Sequence, residues 1–437
     1  MDNQEHIIKA LLSPSLYPGN FAEVQMQETP LSVLFITPKR VYKLKKAIQT
    51  PKVDFSTPMK RKGACLHEMQ RSAIYAPQLV MGLKPVKVLK NGRVKIGGVS
   101  GEEVDTLLVM RRLPKEMLLD TYLPNPAFGT IRAMQLAQRL VGLHTKAKVF
   151  RTRGGVDVLK QRIENAYDSL KKHPDIFPKE RVYSWYRAAL AWLSQHQRLI
   201  QLRQKSGRFR KCHGNLFLSN IGYTGRDFLF FSPIEYDTES ECIDVLYDLA
   251  ALLADLERKN LRVLGNKVFN TYLTMMNDYE GLPLLSFYQS LRAMIRATTK
   301  QEKDLAVARA YFDLACQLLV PYTPELLITD QEPSPDWIQK TGPAPGGLIL
   351  KDSLVKGQIT GFSKPAWFTK TYGVSDFYKI VYDILQHQAQ LALNMGISVA
   401  IQLTHPTAVQ KKQIRAFAES QKVPVSYAFT PKERKKG

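Results

Sequence analysis

The residues of this chain that could do chemistry fall into two groups. The first centres on Lys43, which sits inside the strand-like run RVYKLKK at 40–46. There Val41, Lys43 and Lys45 share one face, and Tyr42 and Leu44 the other. An ammonium on such a face needs a polar destination, unless the strand is an edge that its lysines defend against further pairing. The second group is the turn His213-Gly214-Asn215, five residues ahead of Asn220, with Ser232 just past the next apolar run. An amide such as Asn215 accepts a hydrogen bond from a hydroxyl but takes up no proton. Asn215 and Asn220 are thus suited to orienting a ligand rather than to moving a proton.

The elements that must position these groups are legible in the spacing. A short helix is expected over 5–12, ending before Pro14, and strands over 32–36 and 40–45, joined by Thr37-Pro38-Lys39. Glu68 lies on a helix predicted over 57–72, with Thr57 as N-cap and Pro58 at its first position. Two short strands flank Asn91-Gly92, a strong hairpin signal, and a buried-type strand follows over 104–111. Helical apolar spacing fills 128–146, 155–172 and 179–204. His144, on the apolar face of the first of these, reads as a structural histidine. The run 198–211 is basic and acid-free, and either lines an anionic-ligand cleft or forms a solvated loop. Short strands are expected over 220–223 and 228–231, then a helix from Ile243 and further helices over 265–279, 284–297 and 301–320.

Taken in order, KCHGNLFLSN, the strand ending FFS and the helix containing YDLAAL resemble the catalytic segment of aminoglycoside-phosphotransferase-like kinases. That segment usually reads His-Gly-Asp-x-x-x-x-Asn, then a strand ending in a metal-binding Asp. The likeness extends to bacterial proteins that fuse such a domain to a C-terminal P-loop ATPase domain. It implies an α+β chain: a bilobal protein-kinase-like fold followed by a small α/β P-loop-kinase-like remnant. The N-lobe would occupy 1–112 and the helical C-lobe, with the catalytic-loop remnant, 113–321.

The resemblance also implies ATP with Mg2+ as cofactor. Lys43 would pair the nucleotide phosphates and Glu68 would offer its carboxylate to that lysine. Arg111, ending the strand that leads into the lobe-linking segment RRLPKEMLLD, would contact the cofactor. His213 and position 215 would be catalytic, Asn220 and position 232 would hold the metal, and Asp248 would brace the catalytic loop. Two positions depart from the pattern: Asn215 stands where the catalytic Asp belongs, and Ser232 where the metal Asp belongs. A general base is worth about 10²–10⁴-fold in rate. Phosphoryl transfer leans more on positioning and charge, so the loss of an anionic metal ligand is the graver change.

Residues 322–347, rich in Pro, Gly and acid, read as a linker. Beyond it, 348–437 reads as the α/β remnant. A working phosphate loop needs Gly-x-x-x-x-Gly-Lys-Ser/Thr. The chain offers Gly357, Gly361 and Lys364 at another spacing, Pro365 where the hydroxyl belongs, and Gln402 in place of an acid.

At 437 residues and 44% hydrophobic content the chain is long and apolar enough for two globular domains, or for one large bilobal unit and an appendage. Its four cysteines lack metal-ligand spacing and read as small core residues. The N-terminus MDNQEHIIKALL is not a signal peptide and no apolar run reaches membrane-spanning length, so a cytoplasmic protein is expected. A net charge of +23 favours anionic partners. The leading expectation is a pseudokinase that still binds nucleotide and acts on a small molecule or protein by binding or scaffolding. Two alternatives stand beside it. One is an active phosphotransferase with Glu235 or Asp237 as a shifted metal ligand. The other is a basic-surface protein for nucleic acid or acidic membrane.

Overall fold

Alternation of apolar and polar residues closes the N-terminal region into one sheet. In the computed structural model, which describes residues 4–50, 53–123, 125, 128–234, 241–300, 304–360 and 374–430, the chain divides into two units. One joins 1–126 with 210–243, the other 127–209 with 244–437. In this division the segment 210–243 goes with the N-terminal sheet rather than with the helices.

In the first unit, β1 (Gln25–Glu28), β2 (Ser32–Ile36), β3 (Arg40–Lys45), β4 (Val80–Val88), β5 (Val94–Ile96) and β6 (Glu102–Arg111) form a sheet of order β1-β2-β3-β6-β4-β5. Every pairing is antiparallel. The register aligns Val33, Leu44 and Leu107, then Phe35, Tyr42 and Val109, across three strands. These six side chains form one core with Ile7 of α1 (Gln4–Ala10) and with Leu11. Strand alternation puts Lys43 and Lys45 on the other face, against α2 (Pro58–Tyr75). Thr57 caps α2 as expected, its Oγ1 accepting from the Lys60 amide at 3.3 Å. The exposed edge strand β1 escaped the sequence reading. After a short α3 (Leu119–Tyr122), the unit adds the hairpin β8 (Ile221–Tyr223) and β9 (Phe228–Phe230), and two strands whose outer residues, Phe209 and Asp244, fall in the second unit: β7 (Phe209–Lys211) and β10 (Cys242–Asp244).

The second unit opens with the helices α4 (Thr130–Lys146), α5 (Val156–Leu170), α6 (Lys179–Lys205), α7 (Val245–Arg258), α8 (Arg262–Met276), α9 (Leu285–Lys300) and α10 (Leu305–Gln317). The helix expected from Ile243 starts two residues later. Asp244 acts as its N-cap, accepting the Leu246 amide at 2.9 Å, so Ile243 is left in β10. Every residue of α7 from Val245 to Leu256 is buried. His144, read as a structural histidine, lies in the core. It is buried, with Nδ1 2.7 Å from the Tyr272 hydroxyl and Nε2 3.3 Å from Asp248.

The run 198–211 is neither wholly cleft nor wholly solvated loop. Arg203 lies buried between two carboxylates. Its Nε and Nη2 reach Asp244 at 2.6 and 2.7 Å, while Nη1 and Nη2 reach Asp278 at 2.6 and 2.8 Å.

The expected linker is instead the start of the α/β region. Its apolar run Leu326–Thr329 is β11, paired with strands on both sides. With β12 (Leu348–Lys351), β13 (Val399–Gln402) and β14 (Val425–Ala428) it makes a parallel sheet of order β12-β13-β11-β14. The Pro- and acid-rich residues that suggested a linker belong to the connection through α11 (Pro335–Lys340).

This sheet is tied to α8 of the same unit by two asparagines one turn apart. Asn266 Nδ2 donates to the carbonyls of Pro345 and Gly347, and Asn270 Oδ1 accepts the Ile349 amide at 2.7 Å. The strand β12 passes directly into α12 (Asp352–Thr360), so no phosphate loop separates them, and Gly357 is buried inside the helix. Gly361, Lys364 and Pro365 lie outside the described residues. The helices α13 (Val374–Asn394) and α14 (Ala408–Ser420) complete the region in the expected helix, strand, helix, strand order. No helix among the described residues is long and apolar enough to cross a membrane.

Candidate functional site

The site is built on β3 and α2. Lys43 Nζ stands 2.5 Å from Glu68 Oε1, and Lys45 Nζ stands 2.6 Å from Oε2. The expected Lys43–Glu68 pair is therefore a trio. Sequence reasoning missed Lys45, although the period of two that put it on the face of Lys43 was the signal that could have found it. Burial grades the three: the side chains are 14% exposed for Lys43, 2% for Glu68 and 0% for Lys45. Below them Arg61 Nε meets Asp105 Oδ2 at 2.9 Å, and Gln4 of α1 donates to the same oxygen at 2.9 Å. Burial raises the Asp105 carboxyl above its ordinary value against the pull of Arg61 and Gln4. The cluster as described holds three cations and two carboxylates, and its outermost member is Lys43.

This geometry ranks two substitutions. Glu68→Gln leaves two ammonium groups side by side, Lys45 fully buried and Lys43 largely so, and should destabilise the unit by about 3–5 kcal/mol. Lys45→Met leaves Glu68 still paired with Lys43 and should destabilise it by about 1–3 kcal/mol. Urea unfolding of both variants checks this, and the reverse ranking would show that Glu68 is not shared.

Lys43 and Glu68 line a cavity of about 710 Å³ in the first unit, whose walls include Ile36, Val41, Met110 and Phe231. Arg111 and Ser232 line it too, so the expected cofactor residues and one of the expected metal positions meet around one space. An apolar cavity of this size with a few convergent polar groups is the usual form of a small-molecule site. The β2–β3 turn beside it is tight. Thr37 and Arg40 exchange hydrogen bonds, and the Arg112 amide donates to the Lys39 carbonyl at 3.0 Å, so the turn is pinned.

The second residue group forms a hydrogen-bonded loop. Asn215 Nδ2 donates to the Ser232 carbonyl at 3.0 Å, and Asn220 Nδ2 donates to the Asn215 carbonyl at 2.9 Å. The Ile234 amide donates to the His213 carbonyl at 2.9 Å. Gly214 is required at this crossing: its φ is +76°, and a Cβ there would lie 2.7 Å from Ile234 Cδ1. Ser232 has a left-handed φ of +55°, uncommon outside glycine. The structure thus brings Asn215, Asn220 and Ser232 together.

His213 is buried. Its Nδ1 accepts the Asn215 amide at 3.2 Å, and Tyr75 packs edge-on to its ring at 4.9 Å, so it holds the turn. Arg71, one turn beyond Glu68 on α2, donates to the Cys212 carbonyl at 2.6 Å and lies 3.4 Å from Glu241. One helix therefore fixes both groups: Glu68 holds the lysines and Arg71 anchors the start of the loop.

The donor set offered to a cation by Asn215, Asn220 and Ser232 is two amides and a hydroxyl, all neutral. A hard divalent ion takes carboxylate oxygens by preference, so these residues do not fit the Mg2+ that the resemblance implied. Glu235 and Asp237 lie outside the described residues. The buried thiol of Cys65 is pushed up to about 12 by burial, in keeping with a core residue rather than a reactive one.

No family model matches the chain. It is 24% identical over 280 residues to uncharacterized proteins of Mycobacterium tuberculosis and Mycobacterium bovis, covering 63% of this chain and 54% of theirs. It thus spans about half the length of the curated relatives it matches. Three solved structures are similar to it. A choline/ethanolamine kinase family protein from Mesorhizobium loti has a TM-score of 0.40 at 15% identity, covering 73% of this chain and 95% of that one. A glucosamine kinase has a TM-score of 0.41 at 12% identity, covering 73% and 81%. The GDP complex of the aminoglycoside 2'-phosphotransferase-IIIa F108L mutant has a TM-score of 0.41 at 13% identity, covering 72% and 97%.

Proposed function

We propose that the first unit is the nucleotide site of a small-molecule-kinase-like protein, of the aminoglycoside-phosphotransferase-like kind, that binds ATP without catalysing ordinary phosphoryl transfer. The observation that carries this reading is the Lys43–Lys45–Glu68 trio at the wall of the 710 Å³ cavity. Two ammonium groups share one carboxylate, and the partly exposed one reaches the cavity. An anionic ligand suits that arrangement, and the apolar walls suit a planar base. A bound nucleotide would supply phosphate oxygens for Lys43, while Lys45 keeps Glu68 neutralised when Lys43 turns to the ligand. Arg111 would add a second cation. Asn215 would orient a hydroxyl without accepting its proton.

The C-terminal α/β region fits the same history as a P-loop-kinase-like remnant retained for packing. None of its strand-to-helix junctions β11–α11, β12–α12 and β13–α14 contains a glycine. The N-terminus of α12, where a phosphate would sit in a working loop, carries the buried carboxylate of Asp352, held by the Thr404 amide at 2.9 Å and Lys356 at 2.6 Å.

The test is calorimetry of ATP binding with and without Mg2+, on the wild type and on Lys43→Ala. Binding is expected to survive chelation of the metal and to weaken by about tenfold to a hundredfold in Lys43→Ala, the worth of a hydrogen bond to a charged group. Absence of binding, or binding that needs Mg2+ and proceeds to turnover, would overturn the reading.

A further inference from the structure

The positive charge of the chain is concentrated. Residues 127–209 carry 17 of its Lys and Arg against 5 Asp and Glu, which accounts for about half of the net +23. Within this stretch two acid-free segments, 146–156 and 198–209, are laid side by side in the second unit. The Phe150 amide donates to the Phe209 carbonyl at 2.9 Å and Gln204 Nε2 to the Arg153 carbonyl at 2.8 Å, while the Arg151 guanidinium bonds the Lys205 carbonyl. Val149 packs toward Gly207, where a Cβ would stand 3.1 Å from Val149 Cγ1. One backbone and two side-chain-to-carbonyl hydrogen bonds thus hold the two segments together, and Lys148, Arg151, Arg153, Arg198 and Lys205 are left exposed around the end of α6.

Two aliphatic side chains are exposed within this basic field: Val149 at 37% and Leu202, one turn before Lys205, at 54%. Cations alone suit any polyanion. Aliphatic groups among them suit a surface whose anionic headgroups overlie hydrocarbon, because such side chains enter the boundary between headgroup and acyl chain. A nucleic-acid surface would more usefully carry exposed aromatic rings for base stacking. In this patch the nearby ring, Phe150, is half-buried with the Lys148 ammonium 5.5 Å from its centroid. We propose that this end of the second unit docks on a membrane surface containing anionic phospholipid, with Val149 and Leu202 entering the interface. The inference is independent of the nucleotide reading, since no residue of the first unit takes part.

Co-sedimentation with vesicles of phosphatidylcholine, with and without phosphatidylserine, tests it. The protein should pellet only with phosphatidylserine vesicles, and less so as salt rises. Each basic residue near such a surface is worth about fivefold in affinity. The variant Lys148→Ser/Arg153→Ser/Lys205→Ser should therefore bind about a hundredfold more weakly. Val149→Ser/Leu202→Ser should weaken binding with the charge unchanged. All five side chains are exposed or nearly so, and unchanged unfolding temperatures would show that the variants fold. The proposal is overturned if vesicles do not bind at low salt, or if either variant binds them like the wild type. It is equally overturned if an RNA or DNA oligonucleotide binds more tightly than vesicles through the same three cations and ignores the Val149 and Leu202 changes.

Discussion

Arg203→Ala should destabilise the second unit by about 3–5 kcal/mol, measured by urea unfolding followed through the far-ultraviolet circular dichroism of its helices. Arg203 is 3% exposed, and its guanidinium uses the edges that face Asp244 and Asp278 for four hydrogen bonds of 2.6–2.8 Å. Removing it leaves two buried carboxylates facing one another. Arg208 Nε, 3.7 Å from Asp278, is the other cation in reach, and Tyr288 donates to Asp244 at 3.3 Å. Neither replaces a bidentate fork. Asp244 also caps α7, the most deeply buried helix of the unit, so the loss should spread to the helix start. Gly281→Ala should act on the same point, because a Cβ there would collide with Arg203 and Leu246. A loss below about 1 kcal/mol for Arg203→Ala, the range of exposed ion pairs, would mean that the triad is solvated in solution.

Ser232→Asp should make nucleotide binding depend on metal. The position lines the cavity and adopts a left-handed backbone that Asp tolerates better than most residues. One carboxylate would turn a neutral donor set into one able to hold a divalent ion. ATP affinity with Mg2+ is then expected to exceed that without it by at least about tenfold, or 1.4 kcal/mol. In the wild type the two affinities should agree. Asn215→Asp alone should have no such effect. Its carboxylate would face the Ser232 carbonyl that the Asn215 amide now satisfies at 3.0 Å, which costs about 1–3 kcal/mol of stability. Two amide-specific contacts, from Asn215 to the Ser232 carbonyl and from Asn220 to the Asn215 carbonyl, show how far the loop is built around the residues it now has. Metal dependence already present in the wild type would point to another anionic ligand, which Glu235→Ala and Asp237→Ala would then identify, and none in Ser232→Asp would overturn the prediction.

Much of the first unit was legible from local rules. The strands 32–36 and 40–45, the Asn91-Gly92 hairpin and the Thr57-Pro58 helix start follow from alternation, turn chemistry and capping, each of which acts over a few residues. The placement of Lys43 opposite the apolar core followed from period two, whereas its pairing with Glu68 was implied only by the family resemblance. The His213–Asn220 turn and the two helices that flank it were also readable in order, because their breakers and apolar positions are close in sequence.

What the sequence could not decide depends on groups distant along the chain that meet only when it folds. The apolar run Leu326–Thr329 is too short to identify a strand, and its neighbours on either side are the later strands β13 and β14. Lys45 looks like one more basic residue until the α2 carboxylate, 23 positions on, is found between it and Lys43. Arg203 sits in a basic run that suggests either an anionic-ligand cleft or a solvated loop, yet Asp244 and Asp278 draw it into the core, because a buried charge persists only where its counter-charges are fixed. The sequence by itself determined the local elements and the neutral chemistry at 215 and 232. Tertiary structure decided which charges are buried, which two lysines share one carboxylate and which residues face the cavity, because pairing energies depend on distances that no local pattern contains.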